Sequence, residues 1–146
     1  MRTIEVSVYS PVRPTECVEK VVSAIEKIFP GLIMDIREDR ILAYDGPESL
    51  QTFHKLLRSQ QILDTARSVM LGSLVGDSVQ FQLNKQAAFM GKVSFPPEEE
   101  PLGSVHVKIT GGRRVIDWLA PQTEKGVPIK EIELDELIEI DGDKDV

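Results

Sequence analysis

A run of hydrogen-bonding side chains begins where a predicted strand ends. Asn84-Lys85-Gln86 follows the last apolar residue of an alternating pattern, Leu83, and precedes Ala87-Ala88. The lysine could contact a phosphate, and the two amides could contact ribose 2′-hydroxyls or base edges. The same run also fits a polar connection whose alanines pack against a helix, so the spacing does not by itself define a binding motif.

Polar residues also alternate with apolar ones in three predicted strands, which indicates one buried and one solvent-facing sheet face. The inward residues are Val79, Phe81 and Leu83, then Val93 and Phe95, then Val105, Val107 and Ile109. The eight outward residues are Ser78, Gln80, Gln82, Asn84, Lys92, Ser94, His106 and Lys108, and none is a carboxylate. Amide, hydroxyl and ammonium groups commonly bind phosphate and sugar, although a solvated face without a ligand has the same pattern.

These eight positions include no Phe, Tyr or Trp. Proteins that read single-stranded RNA stack its bases on exposed aromatic side chains. A nucleic acid bound to this face is therefore expected to be folded or duplex, and to be contacted through phosphates and 2′-hydroxyls.

The elements that must hold this face follow from the spacing of apolar residues. They are a strand at 4–8, a helix at 18–29, strands at 32–37 and 40–45, helices at 47–57 and 62–70, strands at 79–83, 93–95 and 105–109, and a helix at 113–119. Short turns between successive strands favour an antiparallel sheet with helices packed on one face. The predicted fold class is α+β, in the order β-α-β-β-α-α-β-β-β-α.

Length and charge predict one domain followed by an acidic segment. A chain of 146 residues suits a single domain with a full core. Residues 130–146 contain eight acids and two lysines, so they carry −6 of the net charge of −7, and residues 1–129 carry −1. We predict a single α+β domain over 1–129 and an acidic C-terminal tail over 130–146. The total charge is therefore a poor guide to what the domain binds.

Membrane and disulfide signals are absent from the sequence. No apolar run approaches the roughly 20 residues that cross a bilayer, and the first residues lack a signal-peptide pattern. The single cysteine, Cys17, cannot form an internal disulfide, which favours a reducing cytoplasm. We predict a cytoplasmic protein without membrane association.

Catalytic signals are weak. Cys17 is interpreted as a buried structural residue, because catalysis would require a nearby histidine, and His54 and His106 are distant in sequence. No zinc-binding spacing, glycine-rich phosphate loop or nucleophile elbow occurs. Arg67 follows Asp64 by three residues, so an ion pair at the edge of the core is favoured over a ligand contact. We predict no enzyme activity and no cofactor or metal.

The chain resembles an uncharacterised archaeal family grouped with predicted RNA-binding and exosome-associated proteins. The residues that carry the resemblance are Val8, Pro14-Thr15-Glu16, Ala24-Ile25, the run Ile62 to Arg67, the run Leu83 to Ala88, Leu102-Gly103 and the run Asp117 to Pro121. That family is similar in fold to the large-subunit ribosomal protein that docks the small ribosomal RNA. The resemblance implies RNA binding, and its motif positions point to Arg67, Asn84, Lys85 and Gln86.

Two functional hypotheses follow. The first is an RNA-binding module that recognises structured RNA through backbone contacts, using Arg67, Gln80, Gln82, Asn84, Lys85, Gln86, Lys92 and Lys108. The alternative is a protein-interaction or scaffold module, whose acidic tail docks a basic partner while the sheet face is inert or forms a homodimer. The sequence identifies neither the RNA nor the protein partner.

Overall fold

A computed structural model describes residues 4–95 and 104–137, which are built around a five-stranded sheet. Its strands are β1 (Glu5–Pro11), β2 (Ile33–Ile36), β3 (Arg40–Asp45), β4 (Ser78–Asn84) and β5 (Ser104–Thr110). The spatial order is β2-β3-β1-β5-β4, and every neighbouring pair is antiparallel. The predicted α+β fold class with an antiparallel sheet is confirmed.

The helices cover the apolar side of the sheet. They are α1 (Val18–Ile28), α2 (Gln51–Ser59, which follows a 3-10 turn at Pro47–Leu50), α3 (Leu63–Gly72), α4 (Lys85–Phe89) and α5 (Arg113–Leu119). A small hairpin of β6 (Thr123–Glu124) and β7 (Val127–Pro128) follows α5. Residues 134–137 are also helical.

Strand alternation creates the core. Burial alternates along β1, β4 and β5, so that Val6, Val8 and Phe81 lie inside while the residues between them face outward. The Phe53 ring of α2 lies 5.6 Å from Phe81 and 5.4 Å from Phe29, centroid to centroid. These rings join the sheet to the helical layer through apolar contacts.

The segment predicted as a strand at 93–95 has no regular secondary structure. Val93 is nonetheless buried, and the side-chain amide of Gln60 both donates to its carbonyl and accepts from its N–H, each at 2.8 Å. One glutamine side chain thus supplies both hydrogen bonds that a neighbouring strand would have supplied. Lys92 and Ser94 are therefore not outward residues of a strand.

The run after β4 is a short helix, not a connecting loop. Asn84 is its N-cap, and the side-chain oxygen of Asn84 accepts a hydrogen bond from the backbone N–H of Ala87 at 2.8 Å. Asparagine is a preferred N-cap, and the alanines that follow favour helix. The predicted contact loop at Lys85 is consequently a helix start.

The first part of the acidic segment contacts the domain. Glu131 pairs with Arg58 at 2.6 Å, Leu137 is buried, and a guanidinium nitrogen of Arg114 donates to the carbonyl of Leu137 at 2.8 Å. Residues 138–146 lie outside the described residues, as do Glu98-Glu99-Glu100 and Leu102-Gly103. Within the described range, the segment after Lys130 is held by an ion pair and by apolar burial.

Candidate nucleic-acid interface

The outward side chains of four strands form two central rows across the sheet, because β1 lies between β3 and β5. Two acids lie at the margin of these rows: Glu5 in the next row, opposite Thr110, and Asp35 on β2, opposite Leu42. The register gives one row of Tyr44, Ser7, Lys108 and Gln80, and a second row of Leu42, Tyr9, His106 and Gln82. We call these eight residues the open face. They line a concavity of about 650 Å³, and none of the described residues that line it is acidic.

The open face has two chemically different halves. Strands β3 and β1 contribute Leu42, Tyr44 and Tyr9, which are 40%, 54% and 37% exposed. Strands β5 and β4 contribute Lys108 and the amides of Gln80 and Gln82, all of them exposed. Exposed aromatic rings thus lie beside hydrogen-bond donors and one cation. This combination suits a ligand that has both flat rings and anionic or hydroxyl groups.

His106 lies where the two halves meet. Its ring centroid is 5.6 Å from that of Tyr9 on the neighbouring strand. Burial, and then the charge of Lys85, hold the pKa of His106 below its usual value. The imidazole is therefore neutral at neutral pH, and its ring extends the aromatic half without adding positive charge.

The predicted site residues do not all lie together. Gln80, Gln82 and Lys108 come together on the open face, as strand alternation predicts. Asn84 is half-buried as the N-cap of α4. Gln86 lies instead at the groove between α1 and α4, and Lys92 is exposed beyond α4 and does not line the open face.

Lys85 is buried rather than exposed. Its side chain is 6% exposed, and its ammonium group donates to the carbonyl of Pro11 at 2.7 Å and to the Glu16 carboxylate at 3.0 Å. Burial lowers the pKa of Lys85, and Glu16 opposes that effect. This ammonium group joins the end of β1 to the start of α1, so it does not face a phosphate outside the protein.

Arg67 is also committed to the fold. Its guanidinium donates to Asp117 at 2.9 Å and to the carbonyl of Ala120 at 3.0 Å, and the residue is 9% exposed. The predicted partner of Arg67, Asp64, is wrong: Arg67 pairs with Asp117, while the Asp64 carboxylate accepts a hydrogen bond from Thr123. The ion pair at the edge of the core joins α3 to α5 instead.

Cys17 is exposed, and the prediction that it is buried is wrong. It precedes α1, and its thiol donates to the Glu19 carboxylate at 2.9 Å.

Among the residues that the structure describes, no group of three His, Cys, Asp or Glu side chains could hold a metal ion. No helix in the same residues has the length and hydropathy to cross a membrane.

The sequence predictions missed Tyr9, Tyr44 and Leu42. Two strand signals could have found them, because Tyr9 alternates with Val6 and Val8, and Tyr44 alternates with buried Ile41 and Ala43. Their position beside Lys108 depends on the strand order, which alternation does not encode. The expectation of a face without aromatic residues holds only for β4 and β5.

Comparisons with known proteins find a matching family model and similar archaeal proteins. A family model described as RNA binding matches residues 4–110. A UPF0201 protein of Saccharolobus solfataricus is 37% identical, over 86% of this chain and 93% of the relative. A UPF0201 protein of Methanosarcina acetivorans is 39% identical, over 90% of this chain and 93% of the relative. The crystal structure of a UPF0201 protein from Methanococcus jannaschii superposes with a TM-score of 0.79 at 34% identity, covering 86% of this chain and 99% of that one.

Proposed function

Because this chain belongs to the archaeal UPF0201 family and also matches a family model described as RNA binding, we propose that it binds RNA through the open face. The observation that carries the proposal is the composition of that face. Its lining residues include Lys108, two glutamines and two tyrosines but no acid. A concavity lined by a cation and by hydrogen-bonding groups, without carboxylates, suits an anionic ligand.

Phosphates and 2′-hydroxyls are the RNA groups that Lys108, Gln80 and Gln82 would contact. An ammonium group binds phosphate as a point charge, and side-chain amides both donate and accept hydrogen bonds. These contacts follow the RNA backbone, as the polar half of the face predicts. Since Lys108 is the single cation lining the concavity among the described residues, the electrostatic contribution is small.

The proposal contains no catalytic step, and it places the protein in the cytoplasm. Similarity to the ribosomal protein that docks the small ribosomal RNA, and association with the exosome, remain predictions from the resemblance. They would identify the RNA or the assembly, whereas the open face indicates only the class of ligand.

Removing the charge of Lys108 is expected to weaken RNA binding and to reduce its salt dependence. One lost phosphate contact lowers the slope of log affinity against log salt by about 0.7 for a single strand. Lys108→Gln keeps a polar side chain on β5 while it removes the charge. Fluorescence titration of a labelled RNA at several salt concentrations measures both quantities.

Lys55→Gln is the matched control for that experiment. Lys55 is exposed on α2, within the helical layer on the other side of the sheet, and its substitution changes the net charge equally. We expect the slope for Lys55→Gln to equal that of the unmodified protein. Equal slopes for the two variants would contradict RNA contact at the open face.

Truncation separates RNA binding from the alternative in which an acidic tail docks a basic partner. Ending the chain after Leu137 removes four acids and one lysine but keeps the Glu131–Arg58 pair and the buried leucine. RNA affinity is expected to be unchanged or higher, because a negative segment that repels an anion is gone. The same titration measures the RNA affinity, and loss of a basic protein partner on this truncation would favour the alternative.

A further inference from the structure

We infer that the RNA segment held on the open face is unpaired, and that its bases stack on Tyr9 and Tyr44. The inference rests on the proposed RNA binding and specifies which part of the RNA is recognised. An unpaired strand or a loop within a structured RNA has this chemistry. In a duplex, by contrast, neighbouring bases already cover both faces of each base.

The two tyrosines are diagonal neighbours on adjacent strands. Tyr9 is opposite Leu42, and Tyr44 is opposite Ser7, so one step of two residues separates the tyrosines across the β1–β3 pair. Diagonal positions of this kind lie roughly 7–8 Å apart, within reach of aromatic side chains. A single RNA segment can therefore place one base on each ring.

Their exposure supports a role outside the core. Tyr44 is 54% and Tyr9 37% exposed, whereas the phenylalanine on the buried side of β4, Phe81, is 6% exposed. The chain has two tyrosines, and both lie on this face. The cross-strand neighbours of Tyr44 are Ser7 on β1 and Ile33 on β2, and the small side chain of Ser7 leaves the β1 side of the Tyr44 ring accessible to a base.

The polar half limits which molecule can cover the aromatic half. A second copy of the chain could cover Leu42 and Tyr44, but it would also bury the Lys108 ammonium and the amides of Gln80 and Gln82. Such groups are costly to bury without partners. An RNA strand supplies bases for the rings and phosphates and hydroxyls for the polar groups, so it satisfies both halves.

The first test compares a single-stranded RNA 12-mer with the same sequence in a duplex, using Tyr9→Leu and Tyr44→Leu. Leucine keeps an apolar residue on the strand but removes the stacking ring. We expect tighter binding to the single strand and about a tenfold loss for each variant. Tyr9→Phe and Tyr44→Phe are the matched controls and should stay within about twofold, because they keep the ring.

A spectroscopic measurement separates the possible outcomes. With fluorotyrosine incorporated throughout, the protein has two fluorine resonances, and stacked bases should shift both upfield when the single strand is added. Equal binding to single strand and duplex, with affinity unchanged in both leucine variants, would overturn the stacking inference but leave RNA binding intact. Fluorine resonances that shift with protein concentration in the absence of RNA would identify a homodimer face and would also overturn the stacking inference. Absence of binding to either RNA at low salt would overturn the proposed function itself.

Discussion

Replacing Lys85 by methionine is expected to destabilise the protein by about 3 kcal/mol. The substitution leaves the Glu16 carboxylate, whose side chain is 10% exposed, without its ammonium partner. Breaking a buried ion pair typically costs about 3–5 kcal/mol, and the lower end applies because the backbone N–H of Arg13 also donates to that carboxylate. The carbonyl of Pro11 loses a donor as well. Urea unfolding followed by circular dichroism measures the change in the free energy of unfolding.

Two further variants make that result specific. Lys92→Met removes a lysine that is exposed, and it should change the free energy of unfolding by less than about 0.5 kcal/mol. Combining Lys85→Met with Glu16→Leu removes both charges and should restore most of the lost stability, because no buried charge remains unpaired. A folded Lys85→Met variant that keeps full stability but loses RNA binding would contradict the structural role of this lysine.

Replacing Arg58 by alanine is expected to destabilise the protein by a similar amount, about 3 kcal/mol. Its guanidinium donates five hydrogen bonds, to the carbonyls of His54, Trp118 and Leu119 and to both oxygens of the Glu131 carboxylate. The side chain is 20% exposed, so water replaces these contacts only in part. The variant detaches α2 from the end of α5 and from the segment that contains Glu131.

A double-mutant cycle with Glu131→Gln separates the ion pair from the carbonyl contacts. The hydrogen bonds from Arg58 hold the pKa of Glu131 below its usual value, which indicates that the pair favours the charged carboxylate. The pair therefore stabilises the fold above the ordinary pKa of a glutamate, and this contribution is lost as pH falls through the lowered value. Arg113→Ala, at an exposed arginine of α5, is the control and should have little effect. An Arg58→Ala variant no less stable than Arg113→Ala would contradict this account.

Local pattern predicted most of the fold and part of the open face. The alternation in β4 and β5 was sufficient to place Gln80, Gln82 and Lys108 on one face and Val79 and Phe81 in the core. Such alternation reports which residues share a side of one strand. It does not report which strands are neighbours, and the central position of β1 brings Tyr9 beside His106.

Lys85 and Arg67 have tertiary partners that local sequence patterns do not report. Lysine is rarely buried unless it is paired, and the partners of Lys85 are 69 and 74 residues away in sequence. Arg67 pairs with Asp117, 50 residues away, whereas the local rule for helices selected Asp64. Asn84 did carry a local signal, since an asparagine before a run that favours helix is a typical N-cap.

The most direct test of the account is to map RNA contacts by two-dimensional NMR of ¹⁵N-labelled protein. Adding a single-stranded RNA at low salt is predicted to shift the backbone amide resonances of the open face, above all those of Ser7, Tyr9, Tyr44, Gln82 and Lys108. The amides of α2 and α3 in the helical layer should remain unchanged. Shifts confined to the helical layer, with the open-face amides unaffected, would contradict the claim that this sheet face is where RNA binds.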